Sequence, residues 1–523
     1  MSHNTSTNYP IGVYTFKDIV EKDYFYIDKT KGLHEIANRF KYVFLSRPRR
    51  FGKSLLVDTL KCYFEGKKEL FKGLEIENLE KEWGEYPVLR FDMSRAKSKS
   101  AATVEMVINE MLCEYEKIYG KPTTDTTLGG RLEHQIRAAH AQTGQQVVLL
   151  IDEYDSPMLE VFHQQETLAA VRDILRNFYG PIKICDEHLR YGFITGITKF
   201  SQMGIFSGIN NLMDISMLDE YSDICGISKD ELLSKCQTHI ESMKDALGLN
   251  YQDTVSELTE NYDGYHFSIN SKDIFNPYSL IKAFATKTLG HYWYESATPT
   301  FLFEQMKKST LNIADMDNVE LRLSSFNVAP DRTDIDASIP YLYQSGYLTI
   351  KSYDKKFNLY SLGFPNSEVK FGFLDEFMPS VTGMQGADRD ATIVEIARSL
   401  YRGDVDSVMR RLQAMLARLP YFYGGTHEVD FQSAMYIVFT MLTEQYVKAE
   451  TPFALGRPDA IIETDDYVYI FEYKINSSPD AALSQIEEKQ YALPYASDSR
   501  KIIKVGLNFS SEKKNIDCWK VIQ

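Results

Sequence analysis

The sequence predicts an α/β protein that opens on a parallel sheet covered by helices on both faces, continues through a mostly helical middle, and closes on a second α/β region. Three observations predict it. Short apolar, β-rich runs alternate with longer polar–apolar stretches from about residue 40 to residue 220, the pattern of strands joined by helical crossovers. One of those runs is followed at once by Gly52-Lys53-Ser54 and a helical stretch. Near the other end, "GRPDAIIETDDYVYIFEYKI" (456–475) holds two apolar runs around a turn at Asp465-Asp466.

In chain order, "YVFLS" (42–46), "PVLRFDM" (87–93), "QVVLLIDE" (146–153), "RYGFITGI" (190–197) and "LMDISML" (212–218) read as buried parallel strands. From about 225 to 330 the pattern is helical, interrupted by "YDGYHF" and "IFNPYSL". "YLYQSGYLTI" and "FNLYSLGFPNSEVKFGF" suggest a small β-containing, winged-helix-like module. "GMQGADRDA" (383–391) is the expected linker. The expected divisions are 1–225, 226–382 and 383–523.

Bulk composition excludes several classes. Of 523 residues, 44% are apolar and 25% charged, so a large core is available without staples. The six cysteines include no CxxC pair, which argues against a zinc site or disulfide framework and for a reducing cytoplasm. "MSHNTSTNYPIG" lacks the basic start and apolar core of a leader. No apolar run approaches a membrane span, so no membrane partner is expected. The net charge of −15 argues against a surface coated in positive charge, though not against a local basic groove.

"LSRPRRFGKSLL" (45–56) ends as a phosphate-binding loop ends but holds Arg47 where the first glycine normally stands. Its context is right: a strand before, a helix after, and backbone N–H groups facing a phosphate at the helix start. Arg49, Arg50, Phe51, Gly52, Lys53, Ser54 and Leu55 are the expected nucleotide-contacting stretch. Lys53 would reach the β/γ-phosphates and Ser54 would bind Mg²⁺. Asp152, at the end of "VVLLID", fits the second Mg²⁺-holding position, and Glu153 fits a general base for an attacking water. The competing reading is that Asp152 and Glu153 only cap the helix around Pro157. Thr195, Thr198 and Lys199 at the next strand's tip are candidates to sense a γ-phosphate, against simple strand-end solvation. Asp92 stands at a similar tip.

In the C-terminal hairpin, side chains alternate, so Glu472 and Lys474 share a face. A two-residue turn at Asp465-Asp466 sets Asp459 directly opposite Glu472. Two carboxylates about 5 Å apart repel unless a cation lies between them, and Mg²⁺ accepts such oxygens. Lys474 would orient a water or steady charge on phosphate. Glu428, near the start of the helix "HEVDFQSAMYIVFTML", is a further candidate ligand. Gln485 and Lys489 share a face of the next helix and are candidates to touch a phosphate backbone, against a plain surface helix.

Taken together, "SRPRRFGKSLL", "LIDEYDSP", "FITGITKFS", "YDGYHF", "NPYSL", "YQSGYLTI", "GRPDAIIE" and "FEYKI" resemble one family: bacterial AAA-ATPase-like proteins with a C-terminal PD-(D/E)XK nuclease-like domain. The resemblance runs over nearly the whole chain. It implies a P-loop NTPase domain with an atypical Walker A sequence and a restriction-endonuclease-like last domain. It also implies that Lys53, Ser54, Asp152 and Glu153 match the nucleotide motifs, and Glu428, Asp459, Glu472 and Lys474 the nuclease motifs. The expected cofactors are ATP and Mg²⁺, with Mn²⁺ open at the nuclease site, and the expected partners are nucleotide, DNA or RNA, and a further copy of the chain. The alternative is a nucleotide-dependent switch whose nuclease-like domain is silent.

Overall fold

The computed structural model describes residues 5–124, 127–162, 164–199, 211–294, 313–322, 326, 338–382, 384, 386–418, 434–442 and 458–523. The chain forms two compact units: Met1–Phe301 with Asn318–Val369, and Leu302–Asp317 with Lys370–Gln523. Among the described residues no helix is long and apolar enough to cross a membrane.

The first unit is built on β1 (Tyr42–Ser46), β2 (Val88–Asp92), β3 (Val147–Asp152), β4 (Leu189–Gly196) and β5 (Met213–Asp214), in the order β2-β3-β4-β1-β5. All neighbouring pairs are parallel. β1 and β3 are buried at every residue, because each has strands on both sides and helices on both faces. β2, at the edge, alternates buried and half-buried positions. The strands thus sit where the apolar runs predict, except the last. Only Met213 and Asp214 of the 212–218 run pair with β1. Asp214 accepts a hydrogen bond from the Ser216 N–H (2.9 Å), and this local turn ends the strand.

The helical middle packs onto the same unit. Helix Lys229–Lys235 begins after β6 (Ile227–Ser228) with a reciprocal cap between Ser228 and Glu231. Helix Gln237–Leu247 ends at left-handed Gly248. Asn250 caps Tyr251–Tyr262, and Asn276 caps Pro277–Thr286 after β7 (Ile274–Phe275). Leu232, Ile240, Leu258, Leu280 and Phe284 make their shared core, which also takes in Phe25 from the N-terminal segment. An antiparallel sheet of β8 (Val319–Arg322), β10 (Leu359–Gly363) and β9 (Thr349–Asp354) completes the unit.

In the second unit the expected linker is mostly helix. Gly386–Tyr401 is helical and buries Ile393, Ile396, Ala397 and Leu400. Its first turn is polar and exposed, which is why "GADRDA" looks like a loop. The sheet runs β11 (Ala460–Glu463), β12 (Tyr467–Ile475), β13 (Lys501–Ser510), β14 (Asn515–Ile522). β12 and β13 are parallel, joined through helix Pro479–Glu488. That helix lies close on the sheet at Gly506, where a Cβ would stand 2.4 Å from the Pro479 carbonyl oxygen.

Candidate functional site

β1 delivers the chain into the loop 47–52, and helix Lys53–Phe64 leaves it, with Gly52 as its cap. The left-handed backbone falls at Arg50 (φ 68°) and Gly52 (φ 91°), not at Arg47. The first-glycine position therefore makes no demand that only glycine meets. A Cβ at Gly52 would meet nothing within 4 Å, so that side of the loop is open.

Arg47 is buried, 1% exposed. Its guanidinium donates to the carbonyls of Ser46 (3.0 Å), Ser216 (2.7 Å), Tyr221 (3.0 Å) and Ser222 (3.4 Å) and lies over the Phe267 ring at 4.1 Å. It is a strut from the loop to the segment after β5. Lys53 Nζ donates to the carbonyls of Arg47 and Pro48, both at 2.9 Å. Burial lowers its pKa, and Glu153 and Asp152 oppose the drop. Arg50 donates to the Tyr14 hydroxyl and lies over Tyr278; Phe51 is buried against Tyr265 and Phe267.

Asp152 meets this loop from the end of β3. Burial pushes its carboxyl up to about 6, while a hydrogen bond from Ser54 pulls it down. Its Oδ1 is buried without a partner, and Arg90 stands 3.9 Å from Oδ2. Glu153 takes left-handed backbone (φ 47°). The cap of the following helix, Ser156–Glu160, is Asp155 rather than Asp152. The Asp155 carboxylate accepts from the Ile197 N–H (3.1 Å), the Thr198 N–H (2.7 Å) and the Thr198 hydroxyl (2.5 Å).

That network corrects the reading of β4's tip. The Thr195 hydroxyl is buried and donates to the Leu45 carbonyl (2.7 Å). Thr198 is spent on Asp155, and Lys199 Nζ on Asp214 (2.9 Å). All three are committed to the sheet and its loops. Asp92 lies beside Asp152 in register, but its carboxylate caps Ser94.

Beside Gly52 and Leu55 opens an apolar pocket of about 100 Å³. Phe25, Ile27, Leu33, Ile224 and Ile281 line it, with Cys225 at its wall. Sequence reasoning missed it because its walls come from the N-terminal segment, the loop, residues 224–227 and the start of the Pro277 helix. The only hint was the apolar "YPIGVYTF" near the start.

In the second unit the hairpin closes with Thr464 N–H donating to the Tyr467 carbonyl (2.9 Å). Ala460 pairs with Phe471 and Ile461 with Ile470, the register expected from the turn. Asp459, one residue beyond, comes beside Glu472. Asp459 Oδ2 accepts from the Tyr473 N–H (2.7 Å). Lys474 Nζ donates to Glu472 Oε1 (3.4 Å) and to Gln485 Oε1. Glu472 is 2% exposed and its Oε2 is buried without a partner.

Burial pushes the Asp459 carboxyl up to about 7, with the Glu472 charge adding to it. Because Asp459 as a residue keeps an exposed face, the carboxylate repulsion is the firmer cause. Burial raises Glu472 too, against Lys474. Of the two helix candidates, Gln485 joins this network, whereas Lys489 is exposed at the helix end. Glu428 lies outside the described residues. Among the described residues no group of three or more His, Cys, Asp or Glu is placed to hold a metal. Two carboxylates here, and Asp152 with Ser54 above, are sparse oxygen sets of a kind Mg²⁺ can take while keeping waters. The orphaned oxygens of Asp152 and Glu472 fit such a cation.

A strand–loop–helix with a buried lysine and a facing acidic strand end, followed by a carboxylate–lysine hairpin, defines a protein of ATPase-like and nuclease-like parts. The family model described as predicted AAA-ATPase matches residues 10–206, and that of the PD-(D/E)XK nuclease superfamily matches residues 426–519. An Azotobacter chroococcum mcd 1 protein described as an uncharacterized protein in the vnfD 5' region is 31% identical over 525 residues, 97% of each chain. The chain belongs to this family of AAA-ATPase-like proteins with a PD-(D/E)XK nuclease-superfamily domain.

Proposed function

We propose that this protein binds and hydrolyses ATP in its first unit and cleaves nucleic-acid phosphodiesters in its second. The observation that carries the reading is the pair of orphaned carboxylate oxygens, on Asp152 and Glu472, each buried beside the expected partner group. An isolated buried carboxylate is costly unless something pairs with it, and an incoming cation would relieve both.

In the first unit the nucleobase would enter the apolar pocket beside Gly52 and Leu55, and the phosphates would lie over the open face of the loop. Lys53 would turn its ammonium from the Arg47 and Pro48 carbonyls to phosphate oxygens. Ser54 and Asp152 would hold Mg²⁺, and Glu153 would take a proton from the attacking water. In the second unit Asp459 and Glu472 would hold Mg²⁺ or Mn²⁺. A divalent cation there supplies Lewis acidity to the phosphodiester and acidifies water. Lys474, steadied by Gln485, would orient the attacking water and stabilise charge developing on phosphate.

The test is incubation of the purified protein with labelled single- and double-stranded DNA and RNA, with Mg²⁺ or Mn²⁺, with and without ATP. Cleavage that disappears in Asp459→Ala and in Lys474→Ala is expected. ATP hydrolysis lost in Lys53→Ala, with every polymer left intact by the wild type, would instead favour a switch with a silent nuclease-like domain.

A further inference from the structure

Five consecutive residues of the phosphate loop are each held by the middle of the chain. Phe267 lies under the Arg47 guanidinium. Gly346 (φ 93°) sits so close to Pro48 that a Cβ there would stand 2.6 Å from the proline ring. The Trp293 indole N–H donates to the Arg49 carbonyl (3.1 Å). Tyr278 lies beneath Arg50 (4.8 Å). Tyr265 and Phe267 present their edges to Phe51, at 4.8 and 5.4 Å between centroids. The motifs "YDGYHF", "NPYSL" and "YQSGYL", which neither proposed chemistry uses, are the ones that supply most of these contacts.

A glycine-rich phosphate loop holds its own shape through its turn. Here Arg47 replaces the glycine, and the loop's shape is imposed from outside. The same backbone carries both functions: Lys53 is tethered to the carbonyls of Arg47 and Pro48, the very residues that rest on Phe267 and Gly346. Drawing the ammonium away to a phosphate releases those carbonyls and alters the surface that the middle module grips.

We propose that Phe267, Trp293 and Gly346 are positioning residues of the phosphate site, so that phosphate occupancy and the packing of the middle module are reciprocally coupled. The inference rests on the nucleotide reading above. Coupling of this kind is reciprocal by thermodynamic necessity, and its usual size is about 5–150-fold in affinity.

The test compares ADP with adenosine, which fills the base pocket but brings no phosphate. Phe267→Leu keeps apolar volume and removes the aromatic face. It is expected to weaken ADP binding about tenfold while leaving adenosine within about twofold. Trp293→Phe keeps a ring against Tyr347 and deletes only the N–H donor. It is expected to give the same split at about threefold. In the Trp83→Phe/Trp519→Phe protein Trp293 is the one remaining tryptophan, and its emission should shift with ADP and not with adenosine. Equal losses for both ligands in the two variants would reduce these residues to general scaffolding and overturn the proposal. So would unchanged ADP affinity with a silent Trp293. If ADP binds wild type and Lys53→Ala equally well, the nucleotide reading itself falls, and this inference falls with it.

Discussion

The two candidate sites are built in opposite ways. The carboxylate site is local: Asp459, Glu472, Lys474 and Gln485 come from one hairpin and the helix after it, and a two-residue turn sets their register. The phosphate site is assembled from remote pieces. Its loop is gripped by Ser216, Tyr221, Ser222, Phe267, Trp293 and Gly346, and its pocket draws on the N-terminal segment. The difference teaches that a motif departing from its consensus is made good by tertiary contacts, whereas an intact one needs little beyond its own backbone.

The comparison breaks most completely at the turn. One glycine inserted between Asp465 and Asp466 shifts the register and sends one carboxylate to the opposite face. Calorimetric Mn²⁺ binding at the hairpin and any cleavage should vanish, with ADP binding unchanged. Asp465→Ser with Asp466→Ser keeps the two-residue loop length and should retain both.

Next in size is Lys53→Ala. It removes the phosphate-directed charge and leaves the Arg47 and Pro48 carbonyls without their donor. ATP turnover should fall about a hundredfold or more, with Mn²⁺ binding at the hairpin intact.

Arg47→Met sharpens the contrast in stability. It deletes bonds to four buried carbonyls and the contact with Phe267, and unsatisfied buried groups cost about 1–3 kcal/mol each before relaxation. A loss of about 3 kcal/mol in the urea unfolding of the first unit is expected. At the hairpin the remote brace is lighter, Arg500 donating to the Thr464 carbonyl (3.3 Å) and pairing with Glu463 (2.6 Å), and Asp465→Ala should change stability by less than about 0.5 kcal/mol.

The smallest effect is a pH dependence within the bracing module. Burial pushes the Asp263 carboxyl up to about 6, with Asp273 adding and Lys229 and Lys351 opposing, and its Oδ1 has no partner. The folded value lies above the ordinary one. The group's stabilising contribution is therefore complete below about pH 4 and is lost as pH rises through about 6. At pH 7 ionised Asp263 costs about 1–3 kcal/mol. Asp263→Asn should remove that slope in thermal unfolding between pH 4 and 7 and be no less stable than wild type at pH 7.

Much was legible from spacing. β1 runs from Tyr42 to Ser46 as the apolar run does, and the hairpin register follows from a turn seen in the residues. Three readings went astray for physical reasons. The 212–218 run stops pairing after Asp214 because, one residue past the Ile215 N–H that still donates to Phe44, the Asp214 side chain captures the Ser216 N–H. "GADRDA" is polar because it is the exposed first turn of a helix, not because it is a linker. Thr195 looks available at a strand tip, yet its hydroxyl turns inward to Leu45. Which polar group stays open is settled by neighbours that spacing does not name.

The sequence by itself determined the strand and helix alternation, the placement of Gly52-Lys53-Ser54 between strand and helix, and the meeting of Asp459 with Glu472. These follow from side-chain period and turn length, which are local properties of the chain. Only the tertiary structure decided what stands in for the missing glycine, where the apolar pocket opens, and that Asp152 and Glu472 each keep one oxygen unpaired. Those features arise where segments far apart in sequence pack together. A guanidinium buried against remote carbonyls holds the loop at a position whose backbone needs no glycine.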